Sequence, residues 1–405
     1  MFADACNGPA SEDAEPFCFM RTARRKMGDL KKTREEIDEI DRQLVQLFKR
    51  RMHLAGDALK AKLGAGLPVL DPAREREIMA RVAREAGPEM ENEARIVFST
   101  LFSLSRAKQN SELHGGGFAA ELEKSMKQGF SLPSSATVAC PGVEGGYSQQ
   151  AACRMVKFPS IFYFKSFEDV FAAVEGGMCD CGVLPVENSK AGSVTGVYDL
   201  MAHHSFRIVK AVKLRIRHAL LGVDGASLDG ISEVVSHPHA LAQCTGLFAE
   251  HPGFRSLPAS NTAVAAKELA ASGRKDVAVI ASRECAALYG LKVLAEDVSD
   301  VRSNFTRFIC ISKSQGISPS AGKISLMMSL GHRPGALADV LMRFAAADIN
   351  LTKLESRPVE GSDFEFRFIF ELEASLGDGR TAALLDGLAC DPDIEHFTFL
   401  GAYEE

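Results

Sequence analysis

No run of apolar residues in this chain approaches the ~20 needed to cross a bilayer. The segment Met1–Arg25 has no apolar stretch behind a basic one, so it does not read as a secretory leader. Residues 1–27 are expected to form an unstructured extension. The ten cysteines include no Cys-x-x-Cys pair, and Cys179 and Cys181 are spaced wrongly for a metal knuckle. They read as free thiols of a reducing cytoplasm, and neither metal nor cofactor is expected. A net charge of −6 lacks the basic excess of a nucleic-acid binder, so an anionic ligand must be held by local cations. A Gly-x-Gly-x-x-Gly fingerprint is also missing. The nearest run, Gly142-Val-Glu-Gly-Gly-Tyr-Ser148, is spaced differently, which argues against a nicotinamide site.

What is present falls into three patterns, in keeping with 405 residues and two to four domains. From Asp29 to Lys62 there is no proline and one glycine, Gly56. Apolar residues recur at Ile37, Ile40, Leu44, Leu47, Leu54 and Ala58, the helical spacing of a packed seam. The seam is interrupted by Arg51, a cation costly on an apolar face unless paired. It either snorkels to a structural carboxylate or binds an anion. Lys62 lies about 16 Å further along the axis on the same face, so the two side chains can converge on one small dianion. Arg34 is roughly 25 Å from Arg51 along the helix and reaches that ligand only from a second protomer. A stop is expected at Gly64–Pro68. Asp71 then caps a second helix with Pro72 at its first position, followed by Arg74 and Glu75. After Gly87-Pro88 a third helix is expected from about Glu91 to Asn110, with Ser105 and Gln109 one turn apart.

Over residues 28–112 this pattern resembles the all-helical chorismate mutases at the front of bifunctional phenylalanine-pathway proteins. The resemblance implies an intertwined dimer and the Claisen rearrangement of chorismate to prephenate, which needs no nucleophile or metal. It implies that Arg51 and Arg34 of the partner subunit clamp the two carboxylates. Lys62 and Gln109 would donate to the ether oxygen, and Asp71 and Glu75 would hold the ring hydroxyl. Arg74 and Ser105 would assist at a carboxylate.

Residues 113–135, opened by His114-Gly-Gly-Gly117, are expected to be a loose linker. From Thr137 short strands alternate with helices, which predicts parallel sheets covered on both faces. Ligands in such folds sit outside the carboxyl ends of the strands. Polar clusters fall at three strand-to-helix turns, Gly142–Ser148, Ser236-His237-Pro238 and Ser260-Asn261-Thr262. Each presents free backbone N–H groups to an anion, although a single such cap is ordinary helix chemistry. Two further clusters border strands. One is Leu184-Pro-Val-Glu-Asn-Ser189. In the other, Asn304, Thr306 and Arg307 lead into the run Phe308–Ile311.

The succession GVEGGYSQQAA, DCGVLPVENSKAGSVTGVYDL, SHPHALAQC, SNTAVAA and SNFTRF resembles prephenate dehydratase over about residues 136–313. That family has two α/β lobes around a cleft, like periplasmic binding proteins, and forms phenylpyruvate. The resemblance implies Thr306 as donor to the leaving hydroxyl, with Arg307 and the helix N-termini on the carboxylates. It places Asn188, Ser189, Ser236 and Gln243 around the substrate, with Glu187 organising the site. Phe308 packs beneath the ring or in the core. Pro141 and His239 depart from the family pattern.

Residues 322–403 read β-α-β-β-α-β, a ferredoxin-like α+β sandwich. His332-Arg-Pro-Gly-Ala-Leu337 opens its first helix, where Gly335 allows close backbone approach. Leu354-Glu-Ser-Arg-Pro358 ends the facing strand, and a turn is expected at 359–363. Both motifs resemble ACT domains attached to prephenate dehydratases. The resemblance implies L-phenylalanine held by Gly335, Ala336, Leu337, Glu355, Ser356 and Arg357 between two such modules, lowering dehydratase activity. The alternative is a bare dimerisation module.

The expectation is a multi-domain cytoplasmic enzyme with an all-α domain, a two-lobed α/β domain and an α+β module. It would act on chorismate and prephenate as a homodimer or higher homo-oligomer, without nucleic-acid or membrane partners. Two rival readings are a non-catalytic aromatic-metabolite sensor and a dehydratase whose helical domain only dimerises. Lys62 and Thr306, which a sensor does not need, weigh against the first; Arg51 on the seam weighs against the second.

Overall fold

In a computed structural model the described residues are 15–194, 196–301, 303–359 and 365–405, with side chains from Leu30 onward. They form two compact units, one up to Leu113 and one from His114. No helix among the described residues is long and apolar enough to cross a membrane.

The first unit is built from α1 (Glu15–Gly64), α2 (Pro72–Ala86) and α3 (Glu91–His114). Helix α1 begins at Glu15, with Pro16 in the first turn, where no intrahelical N–H is required. The later half of the expected extension is therefore helical; residues 1–14 lie outside the described residues. Asp71 caps α2, its carboxylate accepting from the Arg74 N–H at 3.0 Å. Helices α1 and α3 meet at Gly56, where a Cβ would stand 3.3 Å from Glu112 Oε2. The face turned inward carries Met52, Ala55, Gly56 and Leu59. The apolar seam lies elsewhere on the helix. Ile40, Leu44, Leu47 and Leu54 are each more than half exposed, at 56, 57, 61 and 56%. The seam predicted from spacing exists, but its cover is not supplied by this chain's own described residues.

The second unit opens with α4 (Gly117–Gln128), so the expected loose linker contains a helix. Its first turn is capped by Asp386, which accepts from the Gly116 and Ala119 N–H groups at 2.9 Å each. Two α/β lobes follow. The first runs β1 (Ser135–Pro141), α5 (Tyr147–Met155), β2 (Phe158–Phe164), α6 (Phe167–Glu175), β3 (Cys181–Asn188), β4 (Gly192–Ser193), α7 (Val197–His203) and β5 (Arg207–Arg215). The second runs β6 (Ala219–Gly222), β7 (Glu233–Ser236), α8 (Pro238–Ala242), α9 (Thr245–Glu250), β8 (Arg255–Pro258), α10 (Thr262–Ser272), β9 (Val277–Ala281), α11 (Arg283–Tyr289) and β10 (Lys292–Ala295). The chain then returns to the first lobe as β11 (Phe305–Ser312).

The sheets are β2-β1-β3-β11-β5, with β4 beside β3, and β10-β6-β9-β7-β8. Both are mixed rather than parallel throughout. Strand β11 comes back from the other lobe and runs antiparallel to β3 and β5. Strand β6, entering the second lobe, is antiparallel to β9 and β10.

The C-terminal part is β12 (Lys323–Leu330), α12 (Ala336–Ala346), β13 (Asn350–Pro358), β14 (Phe366–Glu373), α13 (Gly379–Ala389) and β15 (Ile394–Tyr403), with sheet order β13-β14-β12-β15. This is the expected sandwich; residues 360–363 of the expected turn lie outside the described residues. It is not an appendage. One face of its sheet packs with Val340, Phe344, Leu385 and Leu388 of its helices. The other lies on the first-lobe sheet, where Met327, Ile369, Leu400 and Tyr403 share a core with Leu184, Ile309 and Ile311. Burying each such aliphatic side chain contributes about 1.5–3 kcal/mol. The two layers touch closely at Gly401, whose φ is +147°; a Cβ there would lie 2.3 Å from the Ile208 carbonyl oxygen.

Candidate active sites

The first site is set by the register of β3 and β11, which pairs Thr306 with Asn188 and Arg307 with Glu187. Alternate residues of a strand point to opposite faces. Asn188 and Thr306 therefore share one face, and Glu187 and Arg307 the other. Asn188 Oδ1 accepts the backbone N–H groups of Lys190 and Ala191 at 2.9 Å each, which fixes the amide's orientation. Its Nδ2 then donates to Thr306 Oγ1 and to Asn304 Oδ1, both at 2.9 Å. Asn304 Nδ2 in turn donates to Gln243 Oε1 at 2.8 Å. Gln243 stands at the break between α8 and α9. One chain of hydrogen bonds thus joins the first lobe to the second. Ser189 Oγ accepts the Phe305 N–H at 3.0 Å and ties down the start of β11.

Around this chain the lobes meet. Tyr147, the first residue of α5, donates to the Arg217 carbonyl at 2.6 Å and stands 3.3 Å from His218 Nδ1. Tyr289 donates to the Glu144 carbonyl at 2.6 Å. A Cβ on Gly142 would lie 3.1 Å from Asn261 Nδ2. Asn261 also caps α10, accepting the Ala263 N–H at 2.8 Å. The N-terminal ends of α5 and α10 therefore border the same cleft.

His218, in the segment between the lobes, is buried. Burial pushes its pKa down to about 4, with a hydrogen bond to Gln243 opposing the shift. A depressed folded-state pKa means that the unfolded chain takes up the proton first as pH falls. Stability is thus expected to decline from about pH 6.5 towards pH 4. Urea unfolding of wild type and His218→Gln across that window checks this: the slope should flatten in the variant.

The second site lies in the helical unit. Arg51 Nη1 donates to Ser105 Oγ at 2.6 Å and to the Leu101 carbonyl at 3.1 Å, and its guanidinium lies 5.6 Å from the Phe102 ring centroid. Burial lowers its pKa, with the Glu75 carboxylate opposing. Gln109 Nε2 donates to the Ala55 carbonyl at 2.6 Å, one turn beyond Arg51 on α1. Glu75 accepts from Arg106 at 2.5 Å. Lys62 donates to the Val69 carbonyl at 2.5 Å, two residues before Asp71 in sequence. Arg51, Ser105, Gln109 and Glu75 are thus drawn to one side of the helices. Arg74 instead pairs with Glu77 at 2.7 Å and is exposed, as is Arg34.

A third feature is a cavity of about 410 Å³ at the start of α12, lined by Leu330, His332, Arg333, Leu337, Phe366 and Phe368 among others.

Three matches to known families follow the chain in order. Residues 33–110 match chorismate mutase type II, 138–316 prephenate dehydratase and 324–389 the ACT domain. A bifunctional chorismate mutase/prephenate dehydratase of Escherichia coli K12 is 32% identical over 349 residues, covering 85% of this chain and 88% of that protein. The chain belongs to that family. An arogenate dehydratase/prephenate dehydratase of Arabidopsis thaliana is 37% identical over 271 residues, 63% of this chain and 69% of that one. A solved prephenate dehydratase from Arthrobacter aurescens, in complex with L-Phe, is 30% identical with a TM-score of 0.60, covering 66% of this chain and 90% of that one.

Within the dehydratase domain several expected site residues stand elsewhere. Arg307 and Glu187 point away from Thr306 towards the ACT sheet, because each is the strand neighbour of a residue facing the cleft. Ser236 is fully buried and donates to the Ile280 carbonyl at 2.5 Å, so its hydroxyl serves the second-lobe sheet. Phe308 is a core residue, packed with Val138, Cys140 and Ala151. His239 is exposed beside His237. In the ACT domain, Ala336 and Leu337 line the cavity, and Gly335 caps α12 with φ +84°. Glu355 and Arg357 are not among the lining residues. They face the first lobe, where Glu355 accepts from Ser193 at 2.5 Å and Arg357 lies 3.4 Å from Asp199. Ser356 is exposed on β13 and does not line the cavity either.

Sequence reasoning placed Asn304 and Tyr147 in polar clusters but gave neither a role, and it left out His218 and Arg106. Asn304 had a usable signal: it lies two residues before Thr306, hence on the same face if the strand is extended back. Nothing local marks His218 or Arg106.

Proposed function

We propose that the chain converts chorismate to prephenate in residues 28–112 and prephenate to phenylpyruvate in residues 136–313, with L-phenylalanine lowering the second step through residues 322–403. The observation that carries the dehydratase reading is the hydrogen-bonded chain Thr306–Asn188–Asn304–Gln243. Asn188 donates into Thr306 Oγ1, so the threonine's own proton is left to point elsewhere. As the ring carboxylate leaves as CO2, its bonding electrons enter the ring and expel the hydroxyl, which takes the Thr306 proton and departs as water. The Asn188 amide stabilises charge developing on Oγ1. Solvent then reprotonates Thr306. With Arg307 turned away, carboxylate binding falls to the N-terminal amides of α5 and α10.

In the mutase step, Arg51 and Arg34 of the partner subunit hold the carboxylates. Lys62 and Gln109 donate to the ether oxygen as it gains charge, and Glu75 and Asp71 orient the ring hydroxyl. The exposed seam of α1 supports a homodimer, since a long apolar stripe calls for a cover. For the effector, apolar Leu330, Leu337, Phe366 and Phe368 beside charged Arg333 and Glu365 suit an aromatic amino acid. The L-Phe complex of the Arthrobacter relative supports the same ligand. A cytoplasmic location is part of this reading.

The test supplies purified full-length protein with chorismate and follows prephenate and phenylpyruvate together. Both products should form in succession, with phenylalanine slowing only the second. Phenylalanine binding without turnover of either substrate would replace this reading with the sensor.

A further inference from the structure

Phe102, Ser105, Arg106 and Gln109 share one face of α3, each within a turn of the next. Three of them meet α1: Phe102 and Ser105 at Arg51, and Gln109 at the Ala55 carbonyl. Arg106 reaches α2 instead, where its Nη1 donates to Glu75 Oε1 at 2.5 Å. The Arg106 side chain is 12% exposed and that of Glu75 30%, so this pair is better shielded than an ordinary surface bridge.

Two cations therefore stand in the field of one carboxylate. Glu75 is close enough to act on the Arg51 charge. Even so, Arg51 Nη1 donates to neutral oxygens, Ser105 Oγ and the Leu101 carbonyl, and Glu75 is bonded to Arg106. That division matters for a dianionic ligand. A guanidinium already paired with a carboxylate of its own chain has fewer donors for one on the substrate, and a neutral hydroxyl is given up more readily than a carboxylate. Glu75, anchored through Oε1, also keeps lone pairs to accept from a ring hydroxyl.

We propose that Arg106 is a positioning residue for the mutase: it holds the Glu75 carboxylate off Arg51 and in place for the ring hydroxyl of chorismate. Arg51 then stays open to a substrate carboxylate. This rests on the mutase reading above.

The test uses full-length Arg106→Met, which keeps the aliphatic stem and removes the charge. Chorismate kcat should fall roughly tenfold to a hundredfold, the cost of a small misplacement at the reacting ring. KM should rise roughly tenfold, because Glu75 swings onto Arg51 and withdraws charge-assisted bonds from the substrate. Dehydration of added prephenate should stay as in wild type. The sharper variant adds Glu75→Gln to Arg106→Met. A neutral amide does not compete for Arg51, so KM should return close to the wild-type value while kcat stays low. A merely structural role for Arg106 predicts no such recovery. Arg106→Lys, which keeps a charge, should lie between wild type and Arg106→Met. A crystal structure of Arg106→Met should show Glu75 on the Arg51 guanidinium. That readout needs no turnover, so it judges the holding role even if wild type leaves chorismate unchanged, an outcome that would instead sink the mutase reading. Wild-type kcat and KM in Arg106→Met would overturn the proposal and leave the mutase reading standing. So would a KM that stays high in the double variant, the mark of an Arg106 that touches substrate itself. If Arg106→Met melts early, Arg106→Lys and the double variant, which leaves no carboxylate unpaired at this point, supply the comparison.

Discussion

Thr306→Val is expected to lower phenylpyruvate formation from prephenate by roughly 10²–10⁴-fold, the usual worth of a positioned proton donor, while chorismate consumption stays as in wild type. Valine keeps the shape and β-branching that suit Thr306 to a strand. It removes the proton and the oxygen that accepts from Asn188. The loss should fall on kcat, because the hydroxyl matters most as the leaving oxygen gains charge. Thr306→Ser should retain most of the rate, since the Asn188 amide is held by two backbone N–H groups and stays aimed at the same place. Steady-state rates on both substrates, with melting curves for each variant, check this. An active Thr306→Val would move the proton donor to another group.

Arg51→Ala is expected to cut chorismate mutase turnover by roughly 10²–10³-fold, in the range seen when one preorganised charge-stabilising donor is removed, and to leave dehydration of added prephenate unaffected. Arg51 is half-buried and preset by Ser105, the Leu101 carbonyl and the face of Phe102. Arg51→Lys should recover little, because one ammonium cannot reproduce the planar fork that meets a carboxylate on two sides. The comparison also decides whether the helical domain is catalytic or only a dimeriser. A fully active Arg51→Ala would favour the dimeriser.

The domain order, the helices of the mutase and the sandwich of the ACT domain were legible because each rests on local periodicity and caps, such as Asp71 before Pro72. The failures have physical causes of two kinds. Treating Thr306-Arg307 and Glu187-Asn188 as single catalytic units ignored the two-residue period of a strand, which puts one member of each pair on the back of the sheet. That error was avoidable. The buried partner of Arg307, the Glu371 carboxylate at 2.6 Å, was not readable, because Glu371 lies in β14 outside any motif and is brought near only by sheet-on-sheet packing. The cations of β5, Lys210 and Lys213, break the apolar pattern of a strand for a related reason: Lys213 pairs with Glu405, and Lys210 forms a backbone bridge with Glu404, both at the far end of the chain. The seam of α1 was read correctly as apolar, but its periodicity says only that it needs a cover, not where that cover comes from.

The most direct measurement mixes the two disabled proteins. Arg51→Ala supplied with chorismate alone should stall before prephenate, and Thr306→Val should stop at prephenate. Combined in one reaction, they should restore phenylpyruvate formation from chorismate, because each supplies the step the other lacks. Two independent active sites on one chain predict that recovery. A mixture that makes no phenylpyruvate, or a single variant that loses both activities while still folded, would contradict the account.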